Sequence, residues 1–236
     1  MKYFSFLPLL LIYLAVSILL SKNELGPDES RYVKFSENIS NGYYAEKDLK
    51  PGFLWNGPGY PLILLPFTFY NINFLVPKLL NCFFLFFGVI FLCKSLRFYL
   101  SKSLSIFFSY FAGLSHPYFI KSLSVLMTEA LAFMLVSLSL FFALRFIKHK
   151  KGILIFSLFS GYLILTKVFF AYSFLFCGIL SIIYWLINNN NKKSTSLIKL
   201  AFYPFVICIP YLIYTYSITN KIFYWSDAGG SSLYSM

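Results

Sequence analysis

Two adjacent carboxylates, Asp28 and Glu29, open the stretch "PDESRYVKFSENIS" in a chain of 236 residues that has only eight acids. Six of them (Glu24, Asp28, Glu29, Glu37, Glu46 and Asp48) fall between residues 21 and 57, directly after an apolar N-terminal segment. A carboxylate held at such a boundary can give or take a proton in general acid–base chemistry. Neighbouring helical residues point about 100° apart, so one of the pair can face a reacting centre while the other fixes the loop. The pair also has a purely structural use. Acids in a first helical turn meet the positive end of the helix dipole, and Asp is a good N-cap.

Glu129 is the one carboxylate inside an apolar run, "MTEALAFMLVSLSLFFAL". A charge at the centre of a membrane helix costs roughly 3 kcal/mol on insertion scales, and less near the surface, so an acid there is a functional candidate. We read it as lining a cavity, as a partner of Lys167 or of a substrate. His116, before Pro117, is placed beside the same outer surface as a second cavity-lining candidate or an interfacial anchor. His149 belongs to a basic cluster and reads as solvated. Cys82, Cys93, Cys177 and Cys208 all fall in apolar runs without metal or redox spacing and read as buried thiols. No metal site and no cofactor is expected.

The elements that position these residues follow from composition. The chain is 59% hydrophobic, 22% aromatic and only 12% charged, which is the profile of an integral membrane protein. The formal charge of +12 does not indicate nucleic acid, because the basic residues sit in short clusters between apolar runs, as in cytoplasmic loops. The first apolar run, 4–20, reads as a retained signal-anchor, since no convincing cleavage site follows it; a cleaved signal peptide is the rival. Other runs cover 60–93, 104–144, 152–187 and 200–218.

Basic clusters at Lys94, Arg97 and Lys102, at Arg145, Lys148, Lys150 and Lys151, and at Lys192, Lys193 and Lys199 set the parity. If all three are cytoplasmic, 104–144 and 152–187 each cross twice, turning near "SHPYFIKS" and at "LTKVFF". The run 60–93 crosses once, over 75–93, and "YPLILLPFTFYNIN" lies at the interface. The expectation is an all-α, polytopic integral membrane protein with about seven transmembrane helices, its N-terminus inside and the loop 21–57 outside. Five basic residues in that loop (Lys22, Arg31, Lys34, Lys47 and Lys50) count against this orientation, but they are spread more thinly than those of 145–151. Within the loop, Tyr32, Phe35 and Ile39 have helical spacing and Gly42 supplies a stop, which predicts a juxtamembrane helix with its apolar side down. "WNGPGYP" then turns the chain back to the bilayer. One membrane domain spans 1–236, with 219–236 as an outer tail.

"PDESRYVKFSENISNGYY" followed by "GPGYPLILLPF" resembles the first outer loop of the GT-C superfamily of membrane glycosyltransferases. The similarity is to the branch of protein O-mannosyltransferases and the aminoarabinose transferase of lipid A, which is glycosyltransferase family 39-like and bacterial in type. "MTEALAFMLVSLSLFFAL" is similar to the fourth span of these enzymes and "GYLILTKVFF" to their "LLTK" segment. The resemblance implies metal-independent, inverting transfer of a sugar from a polyprenyl-phosphate carrier to an extracytoplasmic acceptor. It makes Asp28 the general base, with Glu29 as its partner. It also implies cations for the donor phosphate, and here Lys167 is the first candidate and Arg31 the second, with Lys78, Lys121 and Lys221 behind them. A lysine that merely snorkels is the alternative at Lys167. Family members have more spans than seven, and "GGSSLY" resembles a loop that leads onward, so a shortened relative or the start of a missing C-terminal part is expected. The implied location is a multi-pass protein of a bacterial inner membrane, in contact with its lipids. The rival from another class is a non-enzymic transporter or flippase of lipid-linked sugars. That reading wants charges spread through several spans and an internal repeat, and the sequence has neither.

Overall fold

A computed structural model describes residues 3–22, 24–45, 54, 56–115, 119–187 and 192–225. Every regular element among them is helical. A 3-10 turn at Tyr3–Phe6 leads into α1 (Leu7–Leu20), and α2 (Pro27–Ser40) and α3 (Gly59–Phe69) follow. Then come α4 (Leu75–Leu96), α5 (Lys102–Ser115), α6 (Phe119–Ser124), α7 (Glu129–His149), α8 (Ile153–Thr166), α9 (Phe169–Ile187) and α10 (Lys192–Thr219).

α4 and α7 lie side by side at the centre, with α1 and α5 against α4, α8 between α7 and α10, and α9 on the far side of α10. Polar side chains in these apolar helices mostly bond their own backbone, as Ser95, Ser109 and Ser181 do to the carbonyls four residues before them. That leaves the helix surfaces apolar, and much of this apolar area faces outward. Phe107, Leu154, Phe176 and Ile213 are each more than 60% exposed, a surface that water would disfavour and hydrocarbon would not. Four helices, α4, α7, α9 and α10, are long and apolar enough to cross a bilayer. The other three expected spans fall on α1, α5 and α8, each of 14 residues and so about 21 Å long, short of the roughly 30 Å hydrocarbon core.

The chain breaks between α5 and α7 and between α8 and α9, where the basic clusters required turns. The apolar part of "YPLILLPFTFYNIN" forms the short helix α3. One expectation is corrected. Cys82, Cys93 and Cys208 are buried, but Cys177 is exposed, because α9 packs along one side only and turns Cys177 outward.

The two ends of the bundle differ in chemistry. At one end Lys148 donates to the Phe98 carbonyl at 3.0 Å and lies over the Tyr99 ring, while Lys150 donates to Ser196 Oγ at 2.8 Å. These contacts gather the 94–102, 145–151 and 192–199 segments, which hold no acidic residue. The other end holds α2, the N-termini of α4 and α7 and the C-termini of α1 and α8, tied by the bonds described below. A test of this polarity uses single cysteines at Glu24 and at Lys151 in a cysteine-free background. A thiol reagent that cannot cross a bilayer is expected to label only one of them from either side. Labelling of both from the same side would overturn the arrangement.

Candidate functional site

α2 begins at a Gly–Pro start. Gly26 takes the N-cap position and Pro27 the first turn, leaving Asp28 and Glu29 as the second and third helical residues. The helix ends at Ser40, and Gly42 follows with φ 85°, a left-handed conformation that favours glycine. The two neighbouring acids then take opposite surroundings.

Glu29 is buried, with 4% of its surface exposed. Its Oε2 accepts the Gly26 backbone N–H at 2.8 Å, which is the reach-back of a capping box. Its Oε1 accepts the N–H of Leu126, just ahead of α7, also at 2.8 Å. Lys78 Nζ, from the first turn of α4, lies 3.6 Å from the same oxygen and donates to the Lys22 carbonyl at 2.8 Å. One carboxylate and one ammonium therefore join the end of α1, the start of α2, the start of α4 and the approach to α7. Asn81, one turn further along α4, extends the junction. Its Nδ2 donates to the Val125 carbonyl at 3.1 Å and sits 3.2 Å from the Tyr60 hydroxyl.

Asp28 faces the other way. Its side chain is 57% exposed and lies 3.7 Å from Arg31, itself about one-third exposed. An ion pair this open, at helical i,i+3 spacing, contributes a few tenths of a kcal/mol. Asp28 can therefore meet an incoming molecule without breaking anything the fold needs.

The lysine proposed for phosphate stands on the same end. Lys167 follows the last residue of α8 in an extended conformation, and its Nζ lies 3.0 Å from Oε1 of Glu129, the first residue of α7. The pair is only partly buried, at 37% exposure for Lys167 and 18% for Glu129. Glu129 Oε2 is shielded from solvent and has no hydrogen-bond partner among the described residues. The "NGPGYP" turn is laid on the end of α8 immediately before Lys167. A Cβ at Gly57 would come within 2.0 Å of the Leu165 carbonyl oxygen, so only glycine permits the approach. Tyr162 then donates to the Gly59 carbonyl at 2.6 Å.

Tyr32 is buried on the inner face of α2. It packs edge-on against Tyr60 at 5.2 Å between ring centroids. Burial pushes its hydroxyl pKa up to about 12; a side-chain hydrogen bond to Thr128 opposes the rise, and smaller effects come from the charges of Glu129 and Asp28, which add to it, and of Arg31, which opposes it. The hydroxyl is therefore an O–H donor at neutral pH, within the field of both carboxylates.

Asp28, Arg31, Glu129 and Lys167 thus sit around one end of the bundle, and Glu29 lies behind them in the junction. His116 and the side chain of Lys121 lie outside the described residues, as do Glu46, Asp48 and 226–236 of the tail. Lys221 is exposed and lies over the Tyr224 ring at 5.4 Å. Lys78, a lesser candidate for the donor phosphate, is instead committed to the fold: its side chain is 2% exposed, because the first turn of α4 is covered by the chain that follows α1. Sequence reasoning also passed over Asn81 and the Tyr32 hydroxyl. The spacing of Lys78, Asn81 and Cys82, three polar or polarisable groups on adjoining turns of an otherwise apolar helix, was the available signal. Comparison with known family models, curated proteins and solved structures finds no match.

Proposed function

We propose that this chain is a multi-pass membrane glycosyltransferase of GT-C type. In this reading the basic end is cytoplasmic and α2 lies on the extracytoplasmic surface, with seven spans formed by α1, α4, α5, α7, α8, α9 and α10. The observation that carries the reading is the division of labour between neighbouring acids. Glu29 is committed to the fold by two backbone bonds, and Asp28, its neighbour in the first turn of α2, is open to solvent beside Arg31.

In the transfer step, Asp28 takes the proton of the acceptor hydroxyl as its oxygen attacks the anomeric carbon of a polyprenyl-phosphate-linked sugar. The new carbon–oxygen bond forms opposite the breaking bond to phosphate, so the configuration inverts. The electron pair leaves with the polyprenyl phosphate, whose added charge is met by Lys167, with Arg31 as the second cation. Glu129 holds Lys167 in place at 3.0 Å. Preorganised charge of this kind acts without reorganisation at the moment of reaction.

The test is transfer by the purified protein in bilayers supplied with a polyprenyl-phosphate sugar. Release of polyprenyl phosphate coupled to glycosylation of an acceptor is expected. Movement of the sugar lipid across the bilayer without its cleavage would instead identify a flippase. Lys167→Ala is expected to weaken donor binding about tenfold, the loss of one charge-assisted bond, with the acceptor KM unchanged. Unaltered donor affinity in that variant would leave Lys167 a snorkelling side chain.

A further inference from the structure

Half of the chain's 20 lysines and arginines belong to the end of the bundle away from α2, three in 94–102, four in 145–151 and three in 192–199. No acid falls in these segments, and Glu24, Asp28, Glu29, Glu37 and Glu129 all lie at the other end. The fold draws the basic segments together. Lys148, through the Phe98 carbonyl, joins the end of α7 to the end of α4, and Lys150, through Ser196, joins it to the start of α10. An ammonium has three donors, so each of these exposed lysines keeps two after its bond is made. Arg145, Lys151 and Lys199 are exposed in the same segments.

The helix ends add to the imbalance. α5, α8 and α10 start at this end, and none has an acid in its first turn, where a helix dipole favours one. At the other end α2 starts with Asp28 and Glu29, and α7 with Glu129. Cations gathered in this way repel one another unless anions meet them from outside.

The border of this surface is apolar. Tyr99 is 69% exposed and Leu154 76%, and Leu100, Leu104 and Ile147 are exposed as well. A soluble polyanion would neutralise the cations but leave these side chains in water. A zwitterionic lipid would bring an ammonium to an end that has no carboxylate to receive it. A phospholipid of net negative charge satisfies both parts, and α4, α7, α9 and α10, each long and apolar enough to cross a bilayer, have an end here at headgroup depth.

We infer that this end of the bundle is a docking surface for anionic phospholipids. Their phosphates lie among Arg145, Lys148, Lys151 and Lys199, and their chains run along Tyr99, Ile147 and Leu154. The surface is separate from the proposed transfer reaction, and lipid binding there stands without it.

The experiment is native mass spectrometry of the purified protein exchanged into equimolar phosphatidylglycerol and phosphatidylcholine of matched chains. Phosphatidylglycerol is expected to be retained about tenfold or more over phosphatidylcholine, since each cation beside a headgroup contributes about fivefold. Arg145→Gln, Lys151→Gln and Lys199→Gln together are expected to erase that preference while phosphatidylcholine is retained as before. The same loss of charge at the other end, Lys22→Gln with Lys34→Gln and Lys221→Gln, is expected to leave the preference in place. Inorganic phosphate is expected to displace no more lipid than chloride does at equal ionic strength. Equal retention of the two lipids by the unaltered protein, or an unchanged preference in the first triple variant, would overturn the assignment. An equal loss in both triple variants would show an effect of net charge alone, and displacement by inorganic phosphate a general anion site. Either result would overturn it as well.

Discussion

Asp28→Asn is expected to abolish sugar transfer while leaving membrane insertion, folding and donor binding in place. Asn has nearly the shape of Asp and keeps an oxygen in the same position, but it cannot take a proton from a hydroxyl. The structural cost is small for reasons visible in the fold. Gly26, not Asp28, is the N-cap of α2, so no capping bond is lost. What disappears is the charge–dipole attraction, worth about 0.3–1 kcal/mol in the first turn, and an open ion pair to Arg31 worth about as little. Against that, general-base assistance contributes roughly two to four orders of magnitude in rate. The two readings of Asp28 are therefore separated by far more than the scatter of a transfer assay. Measured with a saturating donor, a drop of about a hundredfold or more in kcat supports the base. A variant within about tenfold of the original would return the residue to helix electrostatics. Glu29→Gln is a useful contrast, because its loss should appear first in stability.

Much of this arrangement is legible in the sequence. Basic clusters, joined by apolar runs too long for one helix, required breaks near residues 116–122 and 166–168; α8 does end at Thr166 with α9 starting at Phe169, while 119–122 fall in the short helix α6. A helix was legible from Tyr32, Phe35 and Ile39 with Gly42 behind them, and α2 ends just before that glycine, at Ser40. A lone acid and a lone lysine, each set in apolar surroundings, have few partners available, and Glu129 and Lys167 are in fact paired. Seven crossings were not confirmed by length, because α1, α5 and α8 stop after 14 residues where turns and packing interrupt the apolar run. Burial at the Glu29 junction was not legible either. Sequence periodicity reports which face of a helix is apolar, but Lys78 is covered by a non-periodic segment, the carbonyl of Lys22, whose path no local pattern encodes. Nor could the sequence say which of two adjacent acids would turn inward. That depends on Leu126, 97 residues away, offering its backbone N–H.

Breaking the Glu29–Lys78 pair from one side is expected to destabilise the protein strongly, and breaking it from both sides much less. Lys78→Met leaves a carboxylate that is 6% exposed with two backbone donors but no counter-charge. Glu29→Gln leaves an ammonium that is 2% exposed with one carbonyl partner, and its amide can accept only one of the two N–H groups that the carboxylate served. An uncompensated buried charge costs about 3–5 kcal/mol, whereas replacing a whole buried pair with groups of similar volume is often neutral. For a chain of this length each kcal/mol moves the midpoint by about 2–4 °C, so each single variant should melt about 6–20 °C lower in a mild detergent. The double variant, Glu29→Gln with Lys78→Met, removes both charges and should recover a large part of that loss, a coupling larger than any surface pair supplies. Additive losses in the double variant would mean that the two side chains act separately, through Leu126 and Lys22, and not as a pair. The same three proteins carry a second readout. Because the pair holds the first turn of α2, transfer should fall in the single variants by more than their folded fraction explains, and the double variant should regain transfer together with its melting temperature.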